Sequence, residues 1–72
     1  MKCTIQHDIP GRLRVHLCCG RMSLHQADVL EYYLRCLEGV QSVKVYDRTR
    51  DAVVVYGGGR DTVIRGLAAF SF

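Results

Sequence analysis

Leu13, Val15 and Leu17 alternate with Arg12, Arg14, His16 and Cys18. Side chains of an extended chain point to opposite faces in turn, so this segment predicts a strand with one apolar side and one wet, basic side. Such a strand belongs in a sheet that is covered on one face only. The rest of the chain must then supply partner strands and a single layer of cover.

Residues 2–7 also alternate, and Asp8-Ile9-Pro10-Gly11 separates the two runs. Proline fixes φ and glycine tolerates positive φ, so the two segments read as a hairpin. Cys19 to Met22 predicts a loop. Ser23 reads as an N-cap, with Gln26 at the capping-box position. Leu24, Ala27, Leu30, Leu34 and Leu37 recur at helical spacing, with Val29 and Tyr33 nearby, and Gly39 suits a helix exit. A helix over 24–38 is expected. Alternation returns from Val40 to Tyr46, with Val43 and Val45 inward and Lys44 and Tyr46 outward. A polar turn over 47–51 leads to the β-branched run Ala52–Tyr56. Gly57 to Gly59 break that strand. Asp61 is expected to cap a short helix over 62–69, with Ile64, Leu67 and Ala68 on one face. Phe70-Ser71-Phe72 reads as a short last strand or a tether.

This order predicts one α+β domain over residues 1–72, with two helices on one face of an antiparallel sheet. The ferredoxin-like βαββαβ sandwich fits it, with an additional N-terminal strand pairing antiparallel with residues 12–18. No apolar run approaches the ~20 residues that span a bilayer, so membrane insertion is not expected. The N-terminus lacks a hydrophobic stretch and a cleavage site, which points to the cytoplasm. Cys3, Cys18, Cys19 and Cys36 then read as thiols and not as a disulfide framework. A net charge of +3 permits an acidic partner without demanding nucleic acid.

Two stretches carry a family likeness. Ile9-Pro-Gly-Arg-Leu-Arg-Val15 and Leu37-Glu-Gly-Val-Gln-Ser-Val-Lys-Val45 flank the Leu/Tyr-rich helix, and Ala52-Val-Val-Val55 follows a polar turn. Together they resemble the heavy-metal-associated domain, in the divergent branch at the N-terminus of bacterial metal-transporting P-type ATPases. The likeness covers nearly the whole chain. It implies a βαββαβ fold and a non-catalytic regulatory domain on the cytoplasmic side, attached to the rest of a membrane transporter. It also implies a soft metal ion in the loop before the first helix, where the family carries Met-x-Cys-x-x-Cys. Here that loop is Leu17-Cys18-Cys19-Gly20-Arg21-Met22, with adjacent cysteines.

By position, the metal-ligand role falls on Cys18 and Cys19. Neighbours in a strand diverge, so the two converge only if the chain turns between them, which Gly20 permits. A helix N-terminus close behind favours thiolate, and thiolates suit Zn(II) or Cu(I). His16, Met22, His25 and Cys3 are further candidate ligands, Cys3 more readily a core residue. The plainer alternative is a pair of thiols without a metal. Cys36 lies on the order of 20 Å away along the helix and is excluded, as is His7 near the turn.

Arg12, Arg14, His16, Lys44 and Tyr46 are expected on the open sheet face. They make either a solvated surface or, in the alternative function, an interaction module in which Arg12, Arg14 and Lys44 meet an acidic protein surface. The middle strands lack the aromatics on which RNA bases stack, which argues against nucleic acid. His16 and Cys18 share a face, but a Cys-His nucleophile needs an orienting third group that the sequence does not reveal. Asp47 and Asp51 read as solvated turn residues.

Overall fold

The computed structural model describes residues 1–71. The elements are β1 (Cys3–Ile9), β2 (Arg12–Leu17), α1 (Leu24–Arg35), β3 (Val40–Tyr46), β4 (Asp51–Tyr56) and α2 (Arg60–Ala69). The four strands form one antiparallel sheet in the order β1-β2-β4-β3. The fold is therefore α+β, with four antiparallel strands and two helices.

The register sorts the side chains into rows. Ile5, Val15, Ala52 and Val45 make one inward row, and Asp8, Leu13, Val54 and Val43 the next. On the other face lie Thr4, His16, Asp51 and Tyr46, then His7, Arg14, Val53 and Lys44, then Ile9, Arg12, Val55 and Ser42. The inward residues of β2 and β4 pack with Ala27, Leu30 and Leu34 of α1 and Val63 and Leu67 of α2. Leu13, Leu17, Leu30, Leu34 and Leu67 are wholly buried.

Ser23 and Gln26 form the expected capping box, the Gln26 N–H donating to Ser23 Oγ at 3.1 Å and the Ser23 N–H to Gln26 Oε1 at 3.0 Å. Leu24 is exposed, contrary to expectation. At 3.6 residues per turn it lies about 90° from the centre of the Ala27–Leu30–Leu34 stripe. α1 also ends at Arg35, short of residue 38. The Leu37 N–H donates to the Leu34 carbonyl and the Val40 N–H to the Leu37 carbonyl, tightening the chain into turns. Gly39 completes the exit at φ +85°, and the Gly57 N–H donates to its carbonyl at 2.7 Å.

α2 starts at Arg60, with Gly59 as N-cap; Asp61 sits inside the first turn and does not cap. Its negative charge there favours the helix dipole. The N-terminal segment ties the helix down at both ends. Arg60 pairs with Asp8, and the Met1 ammonium donates to the carbonyls of Leu67, Ala68 and Phe70. Phe70 is buried and packs on Tyr33 with ring centroids 4.7 Å apart, where a strand or tether was expected. Ser71 is exposed outside any strand, and Phe72 lies outside the described residues. No helix among the described residues is long and apolar enough to cross a membrane.

Candidate functional site

One face of the sheet is filled by helices and the other is bare, so the chemistry to weigh lies on the bare face and in the loop beside it. Asp51 was read as a solvated turn residue; it is instead the first residue of β4 and only 6% exposed. Alternation outward through Val55 and Val53 brings it to the open face, directly across from His16. Its Oδ2 accepts from Arg14 Nη2 at 3.1 Å and its Oδ1 meets His16 Nδ1 at 3.0 Å. A carboxylate only accepts, so in this bond His16 donates from Nδ1. The His16 bond, with Arg14 and Thr49 adding to it, holds the Asp51 carboxyl below the usual carboxylate range against the opposing effect of burial.

Asp51 is thus the orienting group for His16 that sequence reasoning missed. The signal was the alternation of β4. The thiol on this face has a different neighbour: Cys18 Sγ lies 3.5 Å from Thr4 Oγ1.

In the loop, the chain does turn at the cysteines. The Cys18 N–H donates to the Lys2 carbonyl, extending the β1–β2 ladder, and the Cys19 N–H donates back to the Leu17 carbonyl at 2.9 Å. The two thiols nevertheless part. Cys18 is exposed on the Thr4 side, while Cys19 packs against the core. Met22 is buried in the core, His25 is exposed on α1, and His16 is engaged by Asp51. Cys3 sits opposite Leu17, half-buried against the core; burial pushes its thiol up, and nearby Cys18 adds to the rise. Among the described residues no three His, Cys, Asp or Glu side chains come together in a way that could hold a metal ion.

The open face is basic. Arg12 and Lys44 have no acidic partner among the described residues, and Lys44 lies 5.9 Å from the Tyr46 ring centroid. Arg14 is aimed by its bond to Asp51. The chain matches no family model, no curated protein and no solved structure.

Proposed function

We propose that this chain is a ferredoxin-like domain of the heavy-metal-associated kind, in the branch without C-x-x-C. We assign it to the cytoplasmic side of a P-type metal-transporting ATPase, which it regulates by docking on the rest of the transporter. Strand order supports the first part. β2, α1, β3, β4 and α2 follow the sequence of elements that the resemblance implies, and β1 takes the edge beside β2 that a strand after α2 would otherwise fill. The observation that carries the docking part is the one-sidedness of the sheet. Helices occupy one face; Arg12, Arg14 and Lys44 stand on the other with no layer above them. Cations on a flat, rigid face suit an acidic protein surface, which they attract in a salt-dependent way. Transport itself resides in the partner.

A second reading keeps Zn(II) or Cu(I) at the Cys18–Cys19 loop. The exposure of Cys18 favours it, and Cys19 has to leave the core for both thiols to take part.

The test is an amide-shift titration of the labelled chain with the cytosolic domains of a P-type metal-transporting ATPase, and separately with Zn(II) and anaerobic Cu(I). Docking predicts salt-sensitive shifts at Arg12, Arg14 and Lys44 that are lost in an Arg12→Glu, Lys44→Glu double variant. Metal-induced shifts at Cys18 and Cys19, abolished by Cys18→Ser, support the second reading. Silence in both titrations refutes both.

A further inference from the structure

β1 contains an irregularity that places an imidazole beside the arginines of the open face. Thr4 pairs with His16 and Ile5 with Val15, but the register then shifts, and His7, not Gln6, stands opposite Arg14. A regular ladder would have put Gln6 there and turned His7 inward. Bulges of this kind re-aim a side chain and recur beside binding sites. The result is a hollow of about 70 Å³ lined by His7, Arg12 and Arg14. One water needs about 10–15 Å³ on this measure, so the hollow has room for one compact polyatomic group.

We propose that this hollow is a binding site for a phosphate group. Three features point to it. The lining consists of side chains that donate hydrogen bonds and carry or can take positive charge. Arg14 arrives already oriented, because Asp51 Oδ2 accepts from its Nη2 at 3.1 Å and leaves the other N–H donors of the fork free. Arg12 has no acidic partner among the described residues to compete with an incoming anion. Two guanidinium groups match the oxygens of a phosphate with paired, charge-assisted bonds, and a dianion gains more from them than a single carboxylate does. Among the described residues Asp51 is the one carboxylate paired with the lining residues. Both its oxygens are already bonded, so it offsets part of the charge of Arg14 without filling the hollow. Along the outer row, Arg12 is flanked by Ile9 and Val55, an apolar rim on which the organic part of a phosphate monoester can rest.

This inference shares a face with the docking surface above but goes beyond that reading. It needs no transporter to test, so the two can fail separately. The experiment is a titration of the labelled chain with sodium phosphate, at fixed pH and with ionic strength held constant by exchange against sodium chloride. Saturable shifts are expected at His7, Arg12, Arg14 and the two arginine Nε–H signals. Arg12→Gln should weaken binding at least tenfold and His7→Gln severalfold, each with an otherwise unchanged amide spectrum. Arg48→Gln is the control. It removes a charge from a separate arginine-lined hollow, formed by Arg21, Met22, Asp47, Arg48 and Arg50, and should leave the affinity unchanged. Phenyl phosphate identifies the source: tighter binding than inorganic phosphate assigns an ester, equal binding the free ion. Shifts that chloride reproduces overturn the proposal. So does an Arg48→Gln loss as large as that of Arg12→Gln, because either outcome reduces binding to diffuse charge attraction.

Discussion

Replacing Gly39 by alanine tests the account of how α1 hands the chain to β3. Two penalties combine there. Gly39 has φ +85°, a conformation that costs an L-residue about 1–2 kcal/mol. An added Cβ would also stand 2.6 Å from the carbonyl oxygen of Gly57. That contact is with backbone, so relief means moving the β4–α2 connection away from the α1 exit. The Gly57 N–H bond to the Gly39 carbonyl then weakens, at about 1 kcal/mol. The sum is about 2–3 kcal/mol, against a total stability of about 4–11 kcal/mol for a chain of this length. Gly58→Ala is the matched control. Gly58 also has positive φ, at +83°, but a Cβ there meets nothing within 4 Å. It should lose only the conformational part, about 1–2 kcal/mol, and so fall short of Gly39→Ala by about 1 kcal/mol. Urea unfolding followed by far-ultraviolet circular dichroism reads both; with a slope of ~1 kcal/mol per molar, the Gly39→Ala midpoint falls by about 2–3 M. Equal losses for the two variants would refute the close approach of Gly39 to Gly57.

Three more outcomes follow from buried contacts and the two shifted groups. Leu34→Ala should cost about 3–5 kcal/mol, because Leu34 is wholly buried, whereas Tyr32→Ala, two residues back on the opposite side of α1 and 72% exposed, should stay within about 0.5 kcal/mol; urea midpoints decide both. Asp51→Asn should cost about 1–2 kcal/mol at neutral pH through the weakened bonds to Arg14 and His16. The folded carboxyl of Asp51 lies below its unfolded value of about 3.9, so between the two the unfolded chain binds more protons and stability rises with pH. Its contribution is complete above about pH 5 and is lost as pH falls through the folded value, and stability measured from pH 2 to 6 should show that acid limb flattened in Asp51→Asn. Partial alkylation with mass mapping should find Cys18 and Cys36 modified first and Cys3 last, since Cys3 is half-buried and its thiol is held up by burial; early labelling of Cys3 would contradict its place beside Leu17.

The strands and helices were legible because their apolar periods are clean. Leu13, Val15 and Leu17 alternate because their sheet is covered on one side only, and Ala27, Leu30 and Leu34 repeat because one stripe of α1 provides that cover. Ile5 reads inward by the same rule and does face Val15, yet it is 44% exposed. It belongs to an edge strand, and alternation reports a face without reporting how much lies above it. The bulge after Ile5 left no mark in composition, so the arrival of His7 beside Arg14 was invisible. Asp51 was hidden for another reason. Its partners become neighbours only when β4 pairs with β2, a register set by long-range packing and not by any local signal. Met22 was read for its sulfur, and the fold uses its flexible apolar length to fill the core.

The sheet is two hairpins, β1–β2 and β3–β4, zipped together along a single β2–β4 seam. Each hairpin closes over a few residues, whereas the seam closes over all of α1 and β3, so it forms against the larger entropic cost and holds the cooperativity of the whole. Amides along it, at Leu13, Val15, Ala52 and Val54, should exchange with solvent only on global opening, while the outer strands release theirs in smaller fluctuations. Arg12 and Arg14 stand on the exposed side of that same seam, across from Val55 and Val53. A ligand seated on them touches the β1–β2 hairpin, yet it needs the seam closed, because Asp51 of β4 is what orients Arg14. Its occupancy raises the free energy of opening by mass action, so that binding slows exchange across the entire core and not only beneath the ligand.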